Sequence, residues 1–183
     1  FMSEDKEMAQ TGLSLERASV RPAAKYAILL IILCIAGLIR FWHLGILPNG
    51  LQVDEASIAF NAYLVAETGR DEAGQQWPLY PHSSWNPKHP VYFYPVLLSV
   101  KAFGLNETAA RIPSVIFGLA AIFLVYFLAI ELTGDWRTGA VAAFLLALSP
   151  WHSHFSRVGF EAVSLPALLC AALLLALKGA KAG

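Results

Sequence analysis

Uninterrupted apolar runs are the strongest constraint on this chain. Residues 26–43 carry no charge before Arg40, and residues 112–132 carry none before Glu131. At about 1.5 Å rise per residue, the 18 residues of the first run reach about 27 Å as a helix, close to the ~30 Å hydrocarbon core of a bilayer. Residues 139–155 and 162–177 are two further runs of this kind. Charged residues make up 14% of the 183, against about 25% in soluble domains. The 13 basic and 13 acidic residues cancel, so no basic surface points to nucleic acid. A disordered chain and an ordinary water-soluble globule are excluded too. The expected fold class is an all-α integral membrane protein, a multi-span helical bundle.

The pass along the chain gives this order: 1–25, a polar cytoplasmic tail; 26–43, span one; 44–111, a long extracytoplasmic loop; 112–132, span two; 133–138, a cytoplasmic loop; 139–155, span three; 156–161, an extracytoplasmic turn; 162–177, span four; 178–183, a cytoplasmic end. Phe1 ahead of Met2 reads as a scar or crop. Orientation follows from Arg17, Arg21 and Lys25, which flank span one and keep the N-terminus inside. Arg40 sits where its side chain can snorkel to the interface, beside Phe41 and Trp42 as an aromatic belt.

The long loop is a different material. Residues 54–68 read as a helix, with Ala56, Ala59, Phe60, Tyr63 and Leu64 on one face and Gly69 as the stop. Residues 70–90 hold Pro78, Pro81, Pro87 and Pro90 and read as loop. Residues 91–104 are apolar, short and interrupted by Pro95, which fits a helix lying at the membrane surface. Cys34 and Cys170 lie in apolar runs and read as small lipid-buried or helix-packed hydrophobes. His152 and His154 are two apart and face different ways on a helix, against joint metal binding.

The outer side of this scheme collects Asp54, Glu55, Lys88, His89, Arg111, Arg157 and Glu161 beside the spans. A carboxylate there can take a proton from an acceptor hydroxyl, and cations can neutralise a departing phosphate. Nucleotide sugars are not expected outside the cytoplasm, so a lipid-phosphate carrier is the natural donor.

A family resemblance rests on an ordered set of motifs. It runs through Arg40-Phe41-Trp42-His43-Leu44-Gly45, Pro48-Asn49-Gly50-Leu51-Gln52-Val53-Asp54-Glu55-Ala56, Asn61-Ala62-Tyr63, Glu67-Thr68-Gly69-Arg70-Asp71-Glu72 and Pro78-Leu79-Tyr80. It continues through Phe103-Gly104-Leu105-Asn106-Glu107, Ala110-Arg111-Ile112-Pro113-Ser114, Leu148-Ser149-Pro150-Trp151-His152 and Ser156-Arg157-Val158-Gly159-Phe160-Glu161. Together these resemble the N-terminal part of the polyprenyl- or dolichyl-phosphate-sugar-dependent glycosyltransferases of the GT-C architecture. That group includes the protein O-mannosyltransferases (family 39) and the aminoarabinose transferase of lipid A.

The resemblance implies transfer of a hexose or pentose from a polyprenyl-phosphate carrier to a hydroxyl on a protein, lipid or glycan. It implies a multi-pass protein of the plasma or inner membrane, with the active loop outside. Asp54 is implied as the catalytic base of an inverting displacement; the alternative is that Asp54 caps the 54–68 helix. Glu55 is a first-turn acid favoured by the helix dipole, or a contact for acceptor or metal. Lys88 or His89 meets the donor phosphate, or both are solvated loop groups. Arg111 binds phosphate or anchors at headgroups. Arg157 and Glu161, at i and i+4, form a helix ion pair or stand at the site edge. Some relatives carry a second Asp near span four; this chain has Ser164-Leu165-Pro166 there, with only Glu161 nearby. No cofactor is required by this reading, although a divalent metal is compatible with it.

Two other classes compete, a transporter portion and a non-catalytic membrane subunit. A transporter path calls for charges within spans, and spans two to four are charged only near their ends. The length fits the opening part of a larger enzyme, holding the proposed base and not the whole site.

Overall fold

The computed structural model describes residues 22–83 and 86–183. The expected polar tail therefore lies outside the described residues up to position 21, and residues 22–25 already belong to the first helix. Seven α-helices are described: α1 Pro22–Phe41, α2 Val53–Thr68, α3 Pro90–Phe103, α4 Glu107–Thr133, α5 Trp136–Leu148, α6 Pro150–Phe155 and α7 Ser164–Ala182. A 3-10 turn, Glu161–Val163, leads into α7. A two-stranded antiparallel ribbon, β1 His82–Ser83 and β2 Asn86–Pro87, pairs His82 with Pro87 and Ser83 with Asn86. The described fold is all-α apart from that ribbon, as expected for a membrane helical bundle. Among the described residues, three stretches are long and apolar enough to cross a membrane: Ala23–Phe41, Glu107–Thr133 and Glu161–Ala182.

Local chemistry explains the boundaries. Asn106 starts α4, its Oδ1 accepting the Ala109 N–H at 2.9 Å, and Asp135 starts α5, its Oδ1 accepting the Arg137 N–H at 3.0 Å. Gly69 and Gly134 end α2 and α4 in the left-handed conformation that glycine adopts without a Cβ penalty. Residues 139–155, expected as one uninterrupted span, instead form two helices, α5 and the short α6. The reason is Pro150, which offers no N–H and crowds the carbonyl four residues back. Ser149 restarts the chain by accepting the His152 N–H on Oγ at 3.4 Å.

The long helix α4 is central, packing on α1, α3, α5 and α7. One core joins α2, α3 and α4 through Ile58, Val65, Tyr92, Phe93, Val96 and Ala109. A second joins α1, α4 and α5 through Leu29, Ile32, Ala36, Ile122, Tyr126 and Ala143. Two bonds weld α3 to α4. Pro113 cannot donate to the Ala109 carbonyl, so Ser99 Oγ donates to it instead at 2.7 Å. One turn away, the Tyr92 hydroxyl meets Ser114 Oγ at 2.6 Å. The 90–103 helix is thus packed along one side, with Tyr92, Phe93, Val96 and Val100 buried, while Val91 and Leu98 stay exposed.

Candidate active site at the start of the second helix

Helix α2 presents Asp54 and Glu55 in its first turn, and the two neighbours have opposite fates. Gln52 is the N-cap, so Asp54 stands at the second helical position and caps nothing. Its side chain is 55% exposed. Oδ1 pairs with the Lys88 ammonium at 3.2 Å, and Oδ2 has no hydrogen bond among the described residues. Lys88 approaches from beneath: its side chain is 5% exposed, and its backbone N–H is fixed on the Pro81 carbonyl at 2.8 Å. A buried ammonium thus reaches up to an exposed carboxylate at the positive end of a helix dipole, a setting that attracts anions.

Glu55 points inward. Its Oε1 accepts Arg111 Nε at 2.8 Å and the Gly159 N–H at 2.9 Å; its Oε2 accepts an Arg111 NH2 proton at 3.3 Å and the Gln52 N–H at 3.3 Å. Arg111 also donates to the Leu44 carbonyl at 2.8 Å and the Gly50 carbonyl at 2.6 Å. Both side chains are buried, so this fork holds the loop after α1, the start of α2, the start of α4 and the turn before α7 together. Glu55 and Arg111 are saturated by protein groups and offer neither acceptor nor headgroup a free face. The turn needs glycine there, because a Cβ on Gly159 would lie 2.8 Å from Glu55 Cγ.

Arg157 and Glu161 do not pair with each other, because the chain leaves the helix at Phe155 and the i, i+4 geometry is lost. Arg157 donates to the carbonyls of Ile39 at 3.1 Å, Trp42 at 2.6 Å and Leu47 at 3.1 Å, bracing the end of α1. Partial burial, and then the charge of Arg111, lower its pKa from the ordinary arginine value. It also borders a cleft of about 350 Å³ with Leu47, Pro48, Pro150, Ser153 and His154. Glu161 Oε2 instead accepts the His89 N–H at 3.0 Å, which fixes the Lys88-His89 step from the other side. The His89 ring is exposed, so of this pair Lys88 alone touches Asp54.

A third network shapes the loop under Lys88. Asp71 is buried, and its carboxylate accepts the Gln75 and His82 N–H groups at 2.7 and 3.1 Å. Asn61, on α2, donates to the His82 carbonyl at 2.6 Å and accepts the Glu72 N–H at 3.1 Å. Among the described residues no group of three or more His, Cys, Asp or Glu is placed to hold a metal ion.

Arg40 departs from its expectation. It does not snorkel; it is fully buried, donating to the carbonyls of Ala36 at 3.1 Å and Ala147 at 3.2 Å, and to His152 Nδ1 at 2.9 Å. The break at Pro150 explains this, since it leaves carbonyls at the end of α5 without helical partners. Neither Arg40 nor His152 stood out in the sequence as a pair, because 112 positions separate them; an arginine inside an apolar run was the one available signal.

Among the described residues, three apolar helices long enough to cross a membrane define the class as an all-α membrane protein. The family described as dolichyl-phosphate-mannose-protein mannosyltransferase matches residues 86–183, just over half of the chain, and the protein belongs to that family. No curated protein and no solved structure matches the chain.

Proposed function

We propose that the protein transfers a sugar, mannose or another hexose or pentose, from a polyprenyl- or dolichyl-phosphate carrier to a hydroxyl on a protein, lipid or glycan. The acceptor is a protein side chain if this member follows its family's description. The loop bearing Asp54 faces away from the cytoplasm, with the N-terminus inside and the plasma or inner membrane as the site of action.

The pairing of exposed Asp54 with buried Lys88 carries the reading. Asp54 Oδ2 takes the proton of the acceptor hydroxyl as its oxygen attacks the sugar C1. The C1–O bond to phosphate breaks on the opposite face, and the lipid phosphate leaves with the bonding pair. Inversion at C1 follows from the single displacement. Lys88 is placed to accept that phosphate charge. It also holds Asp54 Oδ1 beforehand, at 3.2 Å. A donor phosphate competes with Asp54 for Lys88 and so frees the carboxylate to meet the acceptor hydroxyl. Glu55 and Arg111 act as positioning residues behind Asp54, and Glu161 positions the Lys88-His89 step. His89 and Arg157 stand at the edge.

The test is transfer from a polyprenyl-phosphate sugar by the protein in membranes, with Asp54→Asn beside it. The wild type releases polyprenyl phosphate in step with glycosylated acceptor, and Asp54→Asn releases none above background. A variant that retains wild-type turnover removes the assignment of the base.

A further inference from the structure

Asp71 is a buried carboxylate that the proposed transfer does not use. It spends both oxygens on loop backbone: Oδ1 takes the Gln75 N–H at 2.7 Å and Oδ2 the His82 N–H at 3.1 Å. The His82 ring stands off, with Nδ1 3.9 Å from Oδ2, beyond hydrogen-bond reach. An N–H held by a charged acceptor is among the stronger hydrogen bonds a loop can make.

The His82 N–H belongs to the same peptide unit as the Pro81 carbonyl, and that carbonyl accepts the Lys88 N–H at 2.8 Å. The Pro81–His82 peptide is trans, so it is planar with its N–H and C=O on opposite edges. Holding one edge aims the other, and the Asp71 carboxylate is linked to the Lys88 backbone through one rigid plane. Asn61 ties this plane to α2. It donates to the His82 carbonyl at 2.6 Å and accepts the Glu72 N–H, next to Asp71, at 3.1 Å. Asn61 is fully buried and lies two turns beyond Asp54 on the same face of the helix. Ser57, between them on that face, meets Ser83 Oγ. One helix thus carries both the exposed carboxylate and the clamp for the loop that bears its ammonium partner.

We infer that Asp71 is a positioning residue for Lys88, setting with Asn61 the place of its ammonium against Asp54. The inference rests on the reading of Lys88 as the partner of the donor phosphate. The chemistry is exacting at both positions. Asp71→Asn keeps the shape but has one acceptor oxygen, so its NH2 must face one of the two N–H groups. Asn61→Asp turns the donor facing the His82 carbonyl into a carboxylate oxygen. Either change frees the Pro81–His82 peptide to rotate, and Lys88, whose side chain is 5% exposed, loses its cover.

In the full-length protein in detergent, acetylation of Lys88 by an N-hydroxysuccinimide ester would be timed by mass spectrometry, and transfer measured from a polyprenyl-phosphate sugar. In the wild type Lys88 should label at least about tenfold more slowly than in the SDS-denatured chain. In Asp71→Asn with wild-type helical content that protection should be lost. There kcat/KM for the donor should fall about 10–100-fold, with KM for the acceptor unchanged. Asn61→Asp should act in the same direction. Added to Lys88→Met, Asp71→Asn should lower the donor kcat/KM by less than about twofold more, because the group it positions is gone. Fully additive losses overturn the proposal, since a general loosening of the fold adds to any other defect. Fast labelling of Lys88 in the wild type overturns it whether or not the variants fold, and so does full protection in both folded variants. Labelling reads Lys88 without reference to sugar transfer. A failure of the transfer reading therefore shows separately, as unaltered donor kinetics in Lys88→Met, and the labelling still decides whether Asp71 holds Lys88.

Discussion

Glu55 and Arg111, separated by 56 positions, meet in a buried two-point fork with Nε and Oε1 at 2.8 Å. Because the next residue along the helix from Asp54 is locked this way, the direction in which Asp54 faces is set by tertiary structure. Removing one member leaves the other charged, buried and unpaired, which costs about 3–5 kcal/mol. Glu55→Gln and Arg111→Met should each lower the unfolding temperature of the protein in detergent markedly. The double change to Gln and Met should be milder than the sum of the single changes. A fully additive result would show that the fork is not a coupled pair.

Lys88→Met tests the phosphate partner. Under the proposed mechanism it weakens donor capture and transition-state neutralisation together, so kcat/KM for the lipid-linked sugar should fall about 10²–10³-fold, as for loss of one oxyanion donor. KM for the acceptor should change little. An unaltered donor dependence in steady-state assays would remove Lys88 from the site.

Asp54→Asn is nearly isosteric and keeps a polar group opposite Lys88. Loss of general-base catalysis is worth about 10²–10⁴-fold in rate. Thermal stability should hold within about 1 kcal/mol, since the Asp54–Lys88 pair is half exposed on the carboxylate side. A large drop in melting temperature would instead mark Asp54 as structural.

Ser99→Ala probes the weld between α3 and α4. It leaves the Ala109 carbonyl, which Pro113 cannot serve, without its hydroxyl donor, and an unsatisfied buried carbonyl costs about 1–3 kcal/mol. Ser99→Thr keeps the hydroxyl and should keep most of the stability. Denaturation of the two variants side by side separates loss of the bond from loss of packing.

Gly159→Ala should disturb the turn that donates to Glu55. The added methyl would sit 2.8 Å from Glu55 Cγ, and Glu55 is held in place by its bond from Arg111. Reduced transfer with intact helical content, read by circular dichroism alongside the activity assay, is the expected pair of results.

The sequence by itself determined the material of this protein. Apolar runs long enough for a bilayer, few charges and a Pro-rich polar stretch dictate membrane helices joined by a substantial loop, because hydrocarbon tolerates only internally bonded backbone. It also pointed to helices over 54–68, through apolar periodicity with Gly69 as the stop, and over 91–104, through apolarity; the observed helices are Val53–Thr68 and Pro90–Phe103. Asp54 and Lys88 were legible as candidates by residue type and motif order. What the sequence left open was which charges face outward. Asp54 and Glu55 are adjacent and alike in chemistry, yet the 100° between successive helical residues sends one to solvent and the other to Arg111. Arg111 read as a phosphate ligand or a headgroup anchor, Arg157 as a helix ion pair or a site-edge group, and Arg40 as an interface anchor. Packing alone decided that Arg111 closes on Glu55, Arg157 on the end of α1, and Arg40 on the break before Pro150. Those partners lie tens of residues away, and local periodicity carries no information about contacts at that separation.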